Sequence, residues 1–240
     1  AARLLLNNLV GVALWGAAEC GANRSLEPSM ASKASPCFCT ETFAFLRELA
    51  KNNSREWFQD NKPRYEAHVR APALRLISAL ADPLKDISPQ LTAVARPVGG
   101  SLFRIHRDTR FATDKRPYKT HVGMYFAHAA AGKAARGEAG NASMGRLDTP
   151  GLYLHIEPGE CFVGGGIWHP QSATTRRIRD YMVSNPASWK KATRSPEFRK
   201  VFALTGAALV RPPKGYDPAH ELIEDLKRKD FIGEARLTQK

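Results

Sequence analysis

The apolar positions of the chain change period twice. Over 40–50 they recur at helical spacing, at Phe43, Leu46, Leu49 and Ala50, with Thr40 or Thr42 placed to cap the helix. Asn52 and Asn53 end that segment, and Ser54 is a capping residue for a second one carrying Trp57 and Phe58. Pro63 marks a break or a new first turn. Helical spacing resumes over 65–81 through Leu74, Ile77 and Leu80, where Pro72 predicts a kink or a fresh start. From Leu91 the period turns to that of strands. Segments 91–95, 102–105, 120–127, 151–157 and 161–168 read as β, with Gly99-Gly100 a hairpin or bulge and Pro158-Gly159 a tight turn. The remainder reads as largely helical over 171–184, 186–193, 198–204 and 219–229, with Ser195-Pro196 and Asp217-Pro218 as start signals. Helices, then strands, then helices predict an α+β fold: one domain over 40–235 with a mainly antiparallel central sheet flanked by N- and C-terminal helices.

Two stretches stand outside this pattern. Residues 1–39 combine Arg3, an apolar run and small residues near Ala17 and Ala18, which is the layout of a targeting segment. Met30-Ala31-Ser32 offers the competing reading, a start assigned too far upstream, and either way these residues are expected to lack fixed structure and lie outside the fold. Residues 129–150 are rich in Ala, Gly and small polar side chains with little to pack, and read as a flexible loop or insertion.

Composition changes the picture in one respect. With 36 Lys and Arg against 23 Asp and Glu, the 240-residue chain carries a formal charge of +13, a balance that favours anionic partners or simply a solvated basic surface. The apolar run near the N-terminus is too short and polar for a membrane span, so no membrane partner is expected. Cys20, Cys37, Cys39 and Cys161 form neither a zinc-knuckle spacing nor a disulfide framework, which predicts reduced thiols and a cytoplasmic protein.

The candidate chemistry concentrates in 104–119. Arg104, Arg107, Arg110, Lys115, Arg116 and Lys119 surround Asp108 and Asp114, with Phe111 and Tyr118 as aromatic anchors. Arg forks bind carboxylate or phosphate bidentately, and Lys adds a movable charge. One reading is a site for an anionic small molecule. Arg104, Arg107, Arg110, Lys115, Tyr118 and Lys119 would bind it, and Asp108 and Asp114 would orient the guanidinium groups or take a proton. Such carboxylates should stay ionised among cations. The other reading is a brace, in which the carboxylates pair with the cations and lock a long connection onto the sheet.

A second candidate lies at His155 and Glu157, alternate residues of one strand that point to one face and suit a divalent metal. Glu160 and His169 are possible additions, and His106, His121 and His128 are further imidazoles that spacing does not place. Gly164-Gly165-Gly166 lacks the context of a phosphate loop and reads as a close backbone approach or bulge beside Trp168, with a ligand pocket facing the basic motif as the alternative. No serine or cysteine nucleophile has a signature, and no cofactor is fixed. A non-enzymatic nucleic-acid-binding module, its basic face extended by Arg176, Arg177, Arg179, Lys190, Lys191, Arg194, Arg199 and Lys200, is the alternative from a different class; no nucleic-acid-binding motif supports it.

The motif R-x-x-R-D-x-R-F-x-x-D-K-x-P-Y-K, from Arg104 to Lys119, resembles the signature of the bacterial family called domain of unknown function 2461. The stretches from Tyr153 to Trp168 and from Phe45 to Phe58 are similar to that family too. The resemblance covers about residues 40 to 235, and the Ala- and Gly-rich stretch from Ala129 to Arg146 looks like a local insertion. It implies a soluble bacterial protein and brings no activity with it.

Overall fold

The computed structural model describes residues 38–110, 112–129 and 150–237. The expectations for residues 1–37 of the N-terminal extension, for Phe111 as an aromatic anchor and for residues 130–149 of the insertion lie outside these residues; Phe38, expected outside the fold, is buried in its core. Among the described residues, no helix is long and apolar enough to cross a membrane.

The chain opens with helices α1 (Thr40–Lys51), α2 (Arg55–Asp60) and α3 (Lys62–Tyr65), a π-helical turn at Glu66–Arg70, then α4 (Ala71–Ala79) and α5 (Ala81–Ile87). Ser54 caps α2 by accepting from the Trp57 amide at 3.2 Å. Cys39, not a threonine, occupies the N-cap of α1. Pro72 marks a fresh start, as expected: the π turn precedes it and the proline sits in the first turn of α4. The carbonyl of His68, four residues before Pro72, accepts the Thr42 hydroxyl at 2.6 Å.

Six strands form one sheet: β1 (Leu91–Thr92), β2 (Val122–His128), β3 (Gly151–Glu157), β4 (Glu160–Ile167), β5 (Ala203–Thr205) and β6 (Phe231–Leu237). Their order is β1-β2-β3-β4-β6-β5, with every neighbour antiparallel. The α+β architecture is therefore as the sequence pattern predicts.

Two local expectations are corrected. The segment over 102–105 forms no strand; Leu102 makes one isolated bridge to Met124, and Ser101 folds back onto Val94 through its amide and hydroxyl. The C-terminal third is less helical than its polar spacing suggests. After α6 (Ser172–Ser184), α7 (Pro186–Arg194) and α8 (Pro196–Arg199), the expected helix over 198–204 gives way to β5. The expected helix over 219–229 shrinks to α9 (Ile223–Leu226), and β6 follows. Asp217 and His220 hold turns there, accepting from the amides of Ala219 and Leu222, so the backbone bonds locally instead of continuing a helix.

Alternation along the strands separates two faces. Val122, Met124, Phe126, Leu154, Ile156, Val163 and Ala235 point to one side and pack against Phe45, Leu46, Leu49, Leu76 and Ile77 of the N-terminal helices. A smaller cluster of Met182, Leu222, Leu226 and Phe231 extends the core. The residues between them, Tyr125, Tyr153, His155, Phe162 and Glu234, share the opposite face, by register: Gly123, His155, Phe162 and Arg236 form one row, and Tyr125, Tyr153, Gly164 and Glu234 the next.

Candidate functional site

The motif over 104–119 is a loop closed at its neck. The Arg107 amide donates to the Pro117 carbonyl and the Lys119 amide to the Ile105 carbonyl, each at 2.8 Å, around a His106–Tyr118 bridge. Tyr118 is buried, stacked on Phe58 with ring centroids 4.1 Å apart. Asn53 clamps both its amide and its carbonyl at 3.0 Å. Tyr118 thus anchors the loop to α2 rather than presenting itself to a ligand.

Within the loop the carboxylates are engaged. Asp108 accepts from the Arg110 amide and, through both oxygens, from its guanidinium at 3.0 and 2.7 Å. Asp114 does the same for Arg116 and also receives Arg107 at 2.6 Å. The Arg110 bonds hold the Asp108 carboxyl down to about 2, and the Arg116 bonds, joined by those of Arg107, hold Asp114 well below the usual carboxylate range. Lys115 donates to the Thr109 carbonyl. Arg104 makes no ion pair with a described residue. Lys119 bonds the Arg104 carbonyl at 3.0 Å and lies 5.3 Å from the centre of the Phe103 ring. Desolvation, with Arg104 and Arg107 nearby, lowers its pKa to about 8.

Lys119 leads directly into the second candidate. His121, just before β2, brings its imidazole to 4.4 Å from that of His155 on β3. One ligand atom from each of His121, His155 and Glu157 lies within 4.8 Å of the others. His155 Nε2 and Glu157 Oε2 are 3.1 Å apart. Two atoms each about 2.1 Å from one ion, at a right angle, would be separated by about 3 Å.

The remaining polar atoms of this group have separate partners. His155 Nδ1 faces the Tyr153 hydroxyl at 3.1 Å, and Glu157 Oε1 accepts the Thr120 hydroxyl at 2.6 Å. Phe162 stacks on the far side of His155, with centroids 4.7 Å apart. Burial, then the neighbouring His155, and farther out Lys119 and Arg107, depress His121 to about 4 against a smaller opposing pull from Glu157; its imidazole is neutral at pH 7, as a metal ligand requires. Burial opposes ionisation of Glu157, but the bonds from Thr120 and His155 prevail and lower its pKa.

The other imidazoles and the second carboxylate are elsewhere. Glu160 sits across the hairpin turn from Glu157 and is exposed. His169 pairs with buried Asp230 at 2.5 Å. His106 packs against Phe58 and Tyr118, and His128 ends β2.

The same sheet face carries a cavity of about 280 Å³, lined by Tyr125, Tyr153, Phe162, Trp168, Ile232 and Glu234 over glycines 151, 164 and 166. The sequence offered the glycines of β4 as a possible pocket lining but not the aromatic walls around them. A usable signal was present in the small residues alternating with Phe162 on β4 and in the cross-strand pair Tyr125–Tyr153.

A family model described as conserved hypothetical protein (DUF2461) matches residues 41–240, and the chain belongs to that family. No curated protein and no solved structure matches it.

Proposed function

We propose that this DUF2461 protein is a metal-dependent enzyme acting on a phosphorylated or carboxylated substrate. His121, His155 and Glu157 hold one divalent cation, and Lys119 and Arg104 receive the substrate's anionic group. The observation that carries this reading is the division of labour among the polar atoms. Three ligand atoms converge within 4.8 Å, while the second atoms of His155 and Glu157 are held by Tyr153 and Thr120. Metal-binding imidazoles and carboxylates are oriented in this way by outer partners.

Three protein ligands leave coordination positions open, which distinguishes catalytic from structural sites. When bound, the metal would supply a Lewis acid and an activated water. Lys119 and Arg107 act electrostatically on His121, so the basic loop and the imidazole pair share one field. The loop's other charges brace it: Asp108 holds Arg110, and Asp114 holds Arg107 and Arg116. That leaves the orienting role, rather than proton transfer, to the two carboxylates.

Calorimetric titration with zinc and manganese tests the reading. One ion should bind per chain, with loss in His121→Ala, His155→Ala and Glu157→Gln, and inorganic phosphate should bind more tightly to the metal-loaded protein than to Lys119→Ala. No bound ion, or binding indifferent to all three ligand substitutions, would overturn it.

A further inference from the structure

We infer that the aromatic cavity beside the candidate metal centre binds an alkylammonium group. The ligand would then carry a positive centre as well as the anionic group proposed above. The pairing of the two charges rests on the metal-site reading, whereas the ammonium pocket stands on its own residues.

The cavity is lined by Tyr125, Tyr153, Phe162 and Trp168. Its depth comes from missing side chains: a Cβ on Gly164 would meet only Ile232, at 3.4 Å, so the space above it is open because residue 164 has nothing to fill it. A purely apolar pocket of this kind would accept any small hydrophobic group. Glu234 changes that. It projects from β6 opposite Gly164 and is the one charged residue among the described residues that line the cavity. It makes no hydrogen bond or ion pair with a described residue. Among the described residues, no Lys or Arg lines this pocket.

A carboxylate whose side chain has no partner among the described residues, set among aromatic faces, selects by charge. Ring faces are electron-rich and attract cations, best of all when Trp and Tyr are among them. A neutral apolar ligand would displace water from Glu234 and return nothing, a neutral alcohol would return at most one hydrogen bond and no charge, and an anion would be repelled. An alkylammonium satisfies both the carboxylate and the rings. The Tyr125 hydroxyl, which has no hydrogen-bond partner among the described residues, offers a further oxygen at the rim.

The position fits a short bipolar ligand. The row holding Glu234, Gly164 and Tyr153 lies one same-face step from the row holding Phe162 and His155. That step is about 7 Å along the strands. A molecule with an oxyanion at the metal end and an ammonium over Gly164 would span it.

The test titrates the metal-free full chain with tetramethylammonium and, separately, with tert-butanol as a neutral group of the same shape. Tetramethylammonium should bind saturably, at least ten-fold more weakly to Glu234→Gln and to Trp168→Ala, and unchanged in Glu157→Gln. Urea midpoints of the variants check that each remains folded. Equal binding of tert-butanol, no effect of Glu234→Gln in a folded variant, or no saturable binding of the cation would overturn the inference. Zinc titration of the same proteins keeps the two readings apart. Loss of zinc in Glu157→Gln with ammonium binding intact supports both, and zinc failing on the wild type overturns the metal centre alone.

Discussion

The Tyr153 hydroxyl lies 3.1 Å from Nδ1 of His155, while the ring below that hydroxyl forms one wall of the aromatic cavity. One side chain therefore belongs to both halves of the site. When Nδ1 carries the proton it can donate to the Tyr153 hydroxyl oxygen, and the hydroxyl then holds the imidazole in the tautomer whose Nε2 can ligate. Tyr153→Phe keeps the wall and removes the bond. Zinc affinity should fall about 10- to 100-fold, the range found for outer partners of ligating imidazoles, with the far-UV circular dichroism unchanged. Unchanged zinc affinity would mean that the hydroxyl plays no part in holding the imidazole.

The basic loop predicts a titration rather than an activity. Asp108 has a folded pKa of about 2, set first by its bond from the Arg110 guanidinium and then by that from the Arg110 amide. Because that value lies below the ordinary carboxyl range near 4, the clamp is complete above about pH 4. It is lost as the pH falls through about 2. A carboxyl NMR titration should place Asp108 near 2 in the wild type and close to 4 in Arg110→Ala. An ordinary Asp108 midpoint in the wild type would dissolve the brace reading of this pair.

How much of this was legible in the sequence differs element by element. The hairpin from Gly151 to Ile167 was legible because strand alternation and a Pro-Gly turn are local signals, and they placed His155 and Glu157 on one face. His121 was not, since it joins them from across the sheet, outside any strand, and only the β2–β3 register brings it there. β6 was hidden for another reason. Its inward positions include Gly233 and Ala235, too small to register as a hydrophobic stripe, although Phe231 and Leu237 mark both ends of the alternation. The basic motif was the most conspicuous stretch of the chain, and its charges turn out to be spent largely on one another.

The π turn gives a prediction about stability. Thr42 is fully buried, and its hydroxyl is the donor to the His68 carbonyl near the proline-interrupted part of the helix. Thr42→Val preserves the shape and removes that donor. A buried carbonyl left without a partner costs about 1–3 kcal/mol, so the urea midpoint should fall with an unchanged slope. A midpoint equal to wild type would show that another donor reaches the carbonyl.

Asp230 predicts how stability depends on pH at the far end of the pocket. Its carboxylate, 2% exposed, accepts from the His169 amide and imidazole and from the Ala207 amide, and so ties the end of β4 to the start of β5's following turn. Burial resists its ionisation, but the bond from the His169 imidazole and the two amide bonds outweigh that, and its pKa is lowered. A lowered folded pKa means that the carboxylate stabilises the protein above the ordinary carboxyl range, and that this contribution disappears as the pH falls below it. Asp230→Asn keeps a carbonyl acceptor and loses the charge. The variant should be less stable than wild type at pH 7, by about 2 kcal/mol for a buried charge-assisted pair. The difference should shrink as the pH is taken from 5 toward 2. Urea midpoints of the two proteins across that range decide it, and a gap that stays constant with pH would mean that Asp230 is already protonated in the folded chain.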